Sequence, residues 1–169
     1  MNIDYKTERG GAMRTYLFTK RAPTPGPYSQ AICVEDAGKM IFLSGQTGNI
    51  PGIKGEPVIA GGLGPQTTQA LKNILAIVET VGGKIQHIVE LKIFLKDSEA
   101  SKEERPLARA AARKTLNEAY EEFFFQYGHS RERKNLPART MVWVSEVPLE
   151  FPAEDTLVEI TAIAVIPKR

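Results

Sequence analysis

Four short stretches hold the residues with the most chemical potential: Gly26-Pro27-Tyr28-Ser29-Gln30, Ser44-Gly45-Gln46, Pro137-Ala138-Arg139-Thr140 and Val158-Glu159-Ile160. Glu159 is the most unusual of them, a carboxylate set in an otherwise apolar run. If it faces a core it must be paired, bound or protonated. Strand alternation groups it with Leu157 and Thr161, opposite Val158, Ile160 and Ala162. Its face is therefore the more polar one, and a solvated position also accounts for it. Each of the other stretches has an ordinary structural explanation. Tyrosine after Gly-Pro packs, Ser-Gly ends a strand, and an arginine at a strand start reaches for solvent. Several other chemistries are missing from the sequence: it has no dinucleotide fingerprint, phosphate-binding loop, zinc-protease helix motif or nucleophile elbow. His87 and His129 lie far apart without a patterned partner and read as surface residues. The single Cys33 rules out an intrachain disulfide and a cysteine-rich zinc site, and reads as a small buried hydrophobe.

Positioning such residues takes a folded domain, and the composition provides for one. The 169 residues are 42% hydrophobic and 25% charged, which fits one globular domain and excludes general disorder. The net charge of +2 is no footprint of a nucleic-acid binder. No apolar run approaches the ~18 residues of a membrane helix, and residues 1–12, which include Asp4 and Glu8, do not read as a secretory signal. A soluble, cytoplasmic protein is expected, with residues 1–12 a mobile tail and 13–169 a single domain.

Strands are expected over 13–19, 30–34, 40–44, 88–95, 140–145 and 156–166. Glu35-Asp36-Ala37-Gly38-Lys39 reads as a hairpin turn between the second and third of these. A Gly- and Pro-rich loop follows over 45–64, and loops of that length are often functional. A first helix starts near Pro65 and is capped by Gly82-Gly83. Its apolar face, Ala70, Leu71, Ile74, Leu75, Ile77, Val78 and Val81, should cover a sheet. A second helix runs from near Arg105-Pro106 to about Tyr127, within an extended element over about 98–127. Its Leu116, Ala119, Tyr120, Phe123, Phe124 and Tyr127 form an apolar stripe that reads as core packing. The fold class is α+β: one mixed sheet of about six strands with two helices on one face. The other face is partly apolar, which suggests an oligomer.

In this order and spacing, GPYSQA, FLSGQ, VETVGG, VELKIFLKD, NEAYEEFF, PARTMV and LVEITAIAV resemble the Rid family of reactive-intermediate deaminases, also called YjgF or L-PSP proteins. The resemblance covers roughly residues 14–167. It implies a chorismate-mutase-like fold and a homotrimer with ligand clefts between subunits. It also implies hydrolysis of enamine and imine products of amino-acid dehydratases (2-iminobutanoate and 2-iminopropanoate) to 2-oxo acids and ammonia. The family's carboxylate-binding arginine falls on Arg139, whose guanidinium fork suits a planar carboxylate. The last-strand glutamate falls on Glu159, a general base for water, and the tyrosine on Tyr28, a hydrogen-bond donor or pocket wall. Asn117, Ser44, Gly45 and Thr140 join the substrate-binding set. No metal or organic cofactor is needed.

The sequence departs from the family's pattern at Thr140, where serine is usual, and at Thr161, where a second glutamate is usual. About a dozen extra residues between Asp97 and Asn117 lengthen the second helix. Two other functions compete. An endoribonuclease or translation inhibitor needs a phosphate-binding surface, and the candidate is Arg131, Arg133 and Lys134, partly cancelled by Glu132. Nucleic acid is not the expected partner, because no histidine pair is poised for hydrolysis and that loop reads as solvated. A non-catalytic small-molecule binding trimer is the third.

Overall fold

The computed structural model describes residues 4–8, 13–18, 28–35, 37–53, 57–130, 135–147 and 156–168. The strands are β1 (Asp4–Glu8), β2 (Met13–Phe18), β3 (Ala31–Glu35), β4 (Lys39–Gln46), β5 (Ile88–Lys96), β6 (Ala138–Val144) and β7 (Val158–Ile166). The helices are α1 (Leu63–Thr80) and α2 (Arg105–Phe125). Part of the segment expected to be a tail thus forms β1, paired antiparallel with β2. No helix among the described residues is long and apolar enough to cross a membrane.

Four strands form a mixed sheet in the order β4-β7-β5-β6. β7 pairs antiparallel with both β4 and β5, while β5 and β6 are parallel and joined through α2, as a parallel pair requires. The six-stranded sheet expected from the sequence is instead this four-stranded sheet and a separate antiparallel sheet, β1-β2-β3. The expected hairpin is therefore absent: β3 pairs with β2, and β4 takes β7 as its neighbour, from Lys39↔Ile166 to Leu43↔Ala162. A Cβ at Gly38 would strike the backbone at Ile166, so glycine there permits the close approach of β7 to the start of β4.

Both helices cover one face of the four-stranded sheet. Leu71, Ile74 and Val78 of α1 and Leu116, Tyr120 and Phe124 of α2 are buried against Leu91, Ile93 and Leu95 of β5 and Val158, Ile160, Ala162 and Ala164 of β7. Their spacing explains the helices, and a paired-glycine cap ends the first. Gly82 takes φ +80 and its N–H donates to Glu79 O, while Gly83 N–H donates to Val78 O. On the opposite, uncovered face, Phe42 is 73% exposed, Met40 52% and Val142 40%.

The second helix begins at Arg105, later than the 98 expected for the extended element, because 101–104 form a turn. Its first turns are tied to the sheet by Arg109, whose guanidinium forms a two-pronged pair with Asp97 at 2.9 and 2.5 Å and lies 5.5 Å from the Trp143 ring. The Arg109 hydrogen bond holds the Asp97 carboxyl below its ordinary pKa of 3.8. A lowered folded pKa contributes stability that is complete above the unfolded value and is lost as pH falls through the folded one. The wild type is therefore expected to melt higher than Asp97→Asn at neutral pH. That gap should shrink as pH drops below 3.8, which thermal melts across a pH series would record.

Candidate functional site

Arg139 is the second residue of β6 and lies beside Leu91 of β5, on the helix-covered face. Nη2 donates to Asn117 Oδ1 of α2 at 2.9 Å. The guanidinium carbon lies 4.7 Å from the Tyr120 ring centroid and 5.6 Å from that of Tyr28. Nη1 is buried with no hydrogen-bond partner among the described residues. Burial pushes the Arg139 pKa down, and Tyr120, Tyr28 and Glu121 oppose that shift. Burial likewise pushes the Tyr120 hydroxyl pKa up. A buried guanidinium nitrogen with free protons is costly, and an anion supplied from outside the chain would satisfy it.

Backbone and hydroxyl contacts beside Tyr28 place its ring here. Ser29 forms an isolated parallel bridge with Ala138, its N–H donates to Pro137 O at 3.4 Å, and its buried Oγ donates to Leu136 O at 2.6 Å. The Tyr28 and Arg139 stretches, more than a hundred residues apart in sequence, thus meet at the start of β6.

Glu159 lies on the other face. It is opposite Phe94 in the β5–β7 register and alternates with the buried Val158 and Ile160. The β4–β7 register shifts between Leu43 and Gln46, so Ser44 and Gly45 form a bulge. A Cβ on Gly45 would collide with Glu159 Oε1, so the carboxylate rests over the Gly45 backbone where only glycine leaves room. Ser44 and Thr140 are exposed.

Within one chain the structure brings Arg139, Asn117 and Tyr28 together, and separately brings Glu159 against Gly45. It does not bring the two groups together, since Arg139 and Glu159 occupy opposite faces of the sheet. In sequence Tyr120 reads only as core packing, because its place in the apolar stripe conceals its contact with Arg139. Two further readings change. His87 and His129 are buried, not surface residues: Nδ1 of His87 accepts from Lys84 N–H, and Nδ1 of His129 donates to Asn135 O. Cys33 is exposed on β3 rather than buried. Arg131, Arg133 and Lys134 lie outside the described residues.

The profile of the endoribonuclease L-PSP family matches residues 19–166. A RutC family protein of Pyrococcus horikoshii is 37% identical over 153 residues, 90% of this chain and 98% of its own length. A 2-iminobutanoate/2-iminopropanoate deaminase of Salmonella typhimurium is 34% identical over 154 residues, again 90% of this chain and 98% of its own. Among solved structures, E. coli TdcF with bound serine superposes with a TM-score of 0.57 at 31% identity, over 88% of this chain and 96% of that one.

Proposed function

Since the chain belongs to the endoribonuclease L-PSP family, the Rid or YjgF family that its motifs resemble, we propose that it is a 2-iminobutanoate/2-iminopropanoate-type deaminase. It hydrolyses small 2-imino and enamino acids to 2-oxo acids and ammonia, in the cytoplasm, without a cofactor. The observation that carries this reading is the buried, unpartnered Nη1 of Arg139 beside Asn117 and Tyr28. The deaminase name of the Salmonella relative and the serine bound to TdcF support a small amino-acid-like ligand.

In this reaction Arg139 holds the substrate carboxylate through a charge-assisted pair, and Asn117 fixes the guanidinium. Glu159 takes a proton from water as the water oxygen bonds to the imine carbon and the C=N electrons move to nitrogen. Glu159 returns that proton to nitrogen to give a carbinolamine, then carries the hydroxyl proton to nitrogen as well, so that the C–N bond breaks and ammonia leaves as the carbon–oxygen double bond forms. Tyr28 donates to the imine or walls the pocket. Ser44, Gly45 and Thr140 position the substrate.

Because Arg139 and Glu159 lie on opposite faces of one chain, a complete site takes Arg139 from one copy and Glu159 from the next in a homotrimer. The exposed Met40, Phe42 and Val142 on the uncovered face supply an apolar interface. Mixing subunits tests this directly. Assayed at substrate well below KM, where each is strongly impaired alone, Arg139→Ala and Glu159→Gln trimers are expected to recover about a quarter of wild-type ammonia release when unfolded and reassembled together, by random assortment around a ring. No recovery from well-formed mixed trimers would place both residues in one subunit and sink the shared site.

Gly45→Ala is expected to displace the Glu159 carboxylate. Its ammonia release should fall nearly as far as that of Glu159→Gln, with little change in denaturant melts, because the nearest atoms the added methyl meets belong to the flexible Glu159 side chain. Wild-type turnover in this variant would show that the contact of Glu159 with Gly45 does not matter for the reaction.

A further inference from the structure

Tyr120 packs in the core with Phe124, their ring centroids 4.8 Å apart, and is wholly buried. Packing explains why an aromatic sits there, but it leaves two features unexplained. The ring centroid is 4.7 Å from the guanidinium carbon of Arg139, nearer than the Tyr28 ring at 5.6 Å. The Tyr120 hydroxyl is buried without a hydrogen-bond partner among the described residues, so no hydrogen bond there holds the side chain in place. Among the described residues the guanidinium has one hydrogen bond to a side chain, through Nη2 to Asn117. One such bond leaves rotation about the Cδ–Nε bond and tilting of the guanidinium plane open. An aromatic face beneath the carbon restrains that plane, and it does so most strongly where water is excluded.

We infer that Tyr120 is a positioning residue for anion binding, its ring face fixing the plane of the Arg139 guanidinium so that Nη1 is presented to a substrate carboxylate. The inference rests on the carboxylate site proposed above. It assigns the work to the ring and none to the hydroxyl. The rotation of α2 that places Asn117 against Nη2 also places Tyr120, three residues later on the same face, against Cζ. One helix face thus supplies both restraints, while β6 supplies the arginine itself.

The test uses the assembled wild-type protein and 2-oxobutanoate, a product-class carboxylate whose binding is read by calorimetry independently of turnover. Tyr120→Phe keeps the ring and is expected to bind within about twofold of wild type. Tyr120→Leu is expected to bind about tenfold more weakly and to raise KM to match, with kcat little changed. Because Tyr120→Leu also opens the core, a second series replaces residue 120 with phenylalanines carrying increasing numbers of ring fluorines. These retain shape while draining the ring face of negative potential, and affinity is expected to fall stepwise with fluorine count. A residue that only packs would lower the melting temperature in Tyr120→Leu and show no trend with fluorination. If 2-oxobutanoate binds wild type, is lost in Arg139→Ala and ignores the ring at 120, the role of Tyr120 is overturned while the carboxylate site stands. If wild type binds no 2-oxo acid, both fall.

Discussion

Glu159→Gln is expected to lower kcat for imine hydrolysis by about 10²–10⁴-fold, the usual contribution of a positioned general base. The substitution preserves the side chain's size and an oxygen acceptor but removes the ability to take a proton. Its effect on folding should be small. Glu159 is on the face opposite the helices, and it has no hydrogen-bond or ion-pair partner among the described residues that the amide would disrupt. Substrate binding should also persist, because the carboxylate is held elsewhere. The expected pattern is therefore a collapse in kcat with KM within a few-fold and an unchanged melting temperature. A wild-type rate would leave Glu159 as a residue that only fills the space over Gly45.

The second large effect is at Arg139. Removing a charge-assisted pair costs about 1.5–3 kcal/mol, which predicts a loss of roughly 10–150-fold in kcat/KM for Arg139→Ala. The loss should appear mainly as a raised KM. Arg139→Lys keeps the charge but neither the fork nor the planar surface that lies over the Tyr120 and Tyr28 rings, so it should restore little. Steady-state kinetics on both variants, with melts to confirm folding, separate a lost fork from a lost charge. A change below a few-fold in a folded Arg139→Ala protein would remove the carboxylate role.

Local signals were legible in the sequence and non-local ones were not. The first helix could be read because its apolar spacing and Gly82-Gly83 agree, and the structure closes it with the bonds those glycines permit. The stretch from Glu35 to Lys39 carried an equally good turn signal, yet β3 and β4 part there. The partner of β4 is β7, more than a hundred residues away, and no local pattern announces that pairing. The two histidines illustrate the same limit. Each bonds a backbone group three to six residues away, and tertiary packing buries the ring. Glu159 stands out as a carboxylate in an apolar run, whereas Arg139, which reads as an ordinary strand-start residue, is marked only by the resemblance of its motif. Their placement on opposite faces follows from sheet order and register, which alternation within a single strand cannot give. Tyr120 was hidden for a different reason: it satisfies the helical stripe completely, so nothing in its spacing marks a second role.

The most direct measurement is release of ammonia and 2-oxo acid from imines generated in situ by an amino-acid oxidase, comparing wild type with Arg139→Ala. Acceleration by wild type that is largely lost in the variant is the predicted result. No acceleration across small and bulky amino acids, from a correctly assembled protein, would contradict deamination.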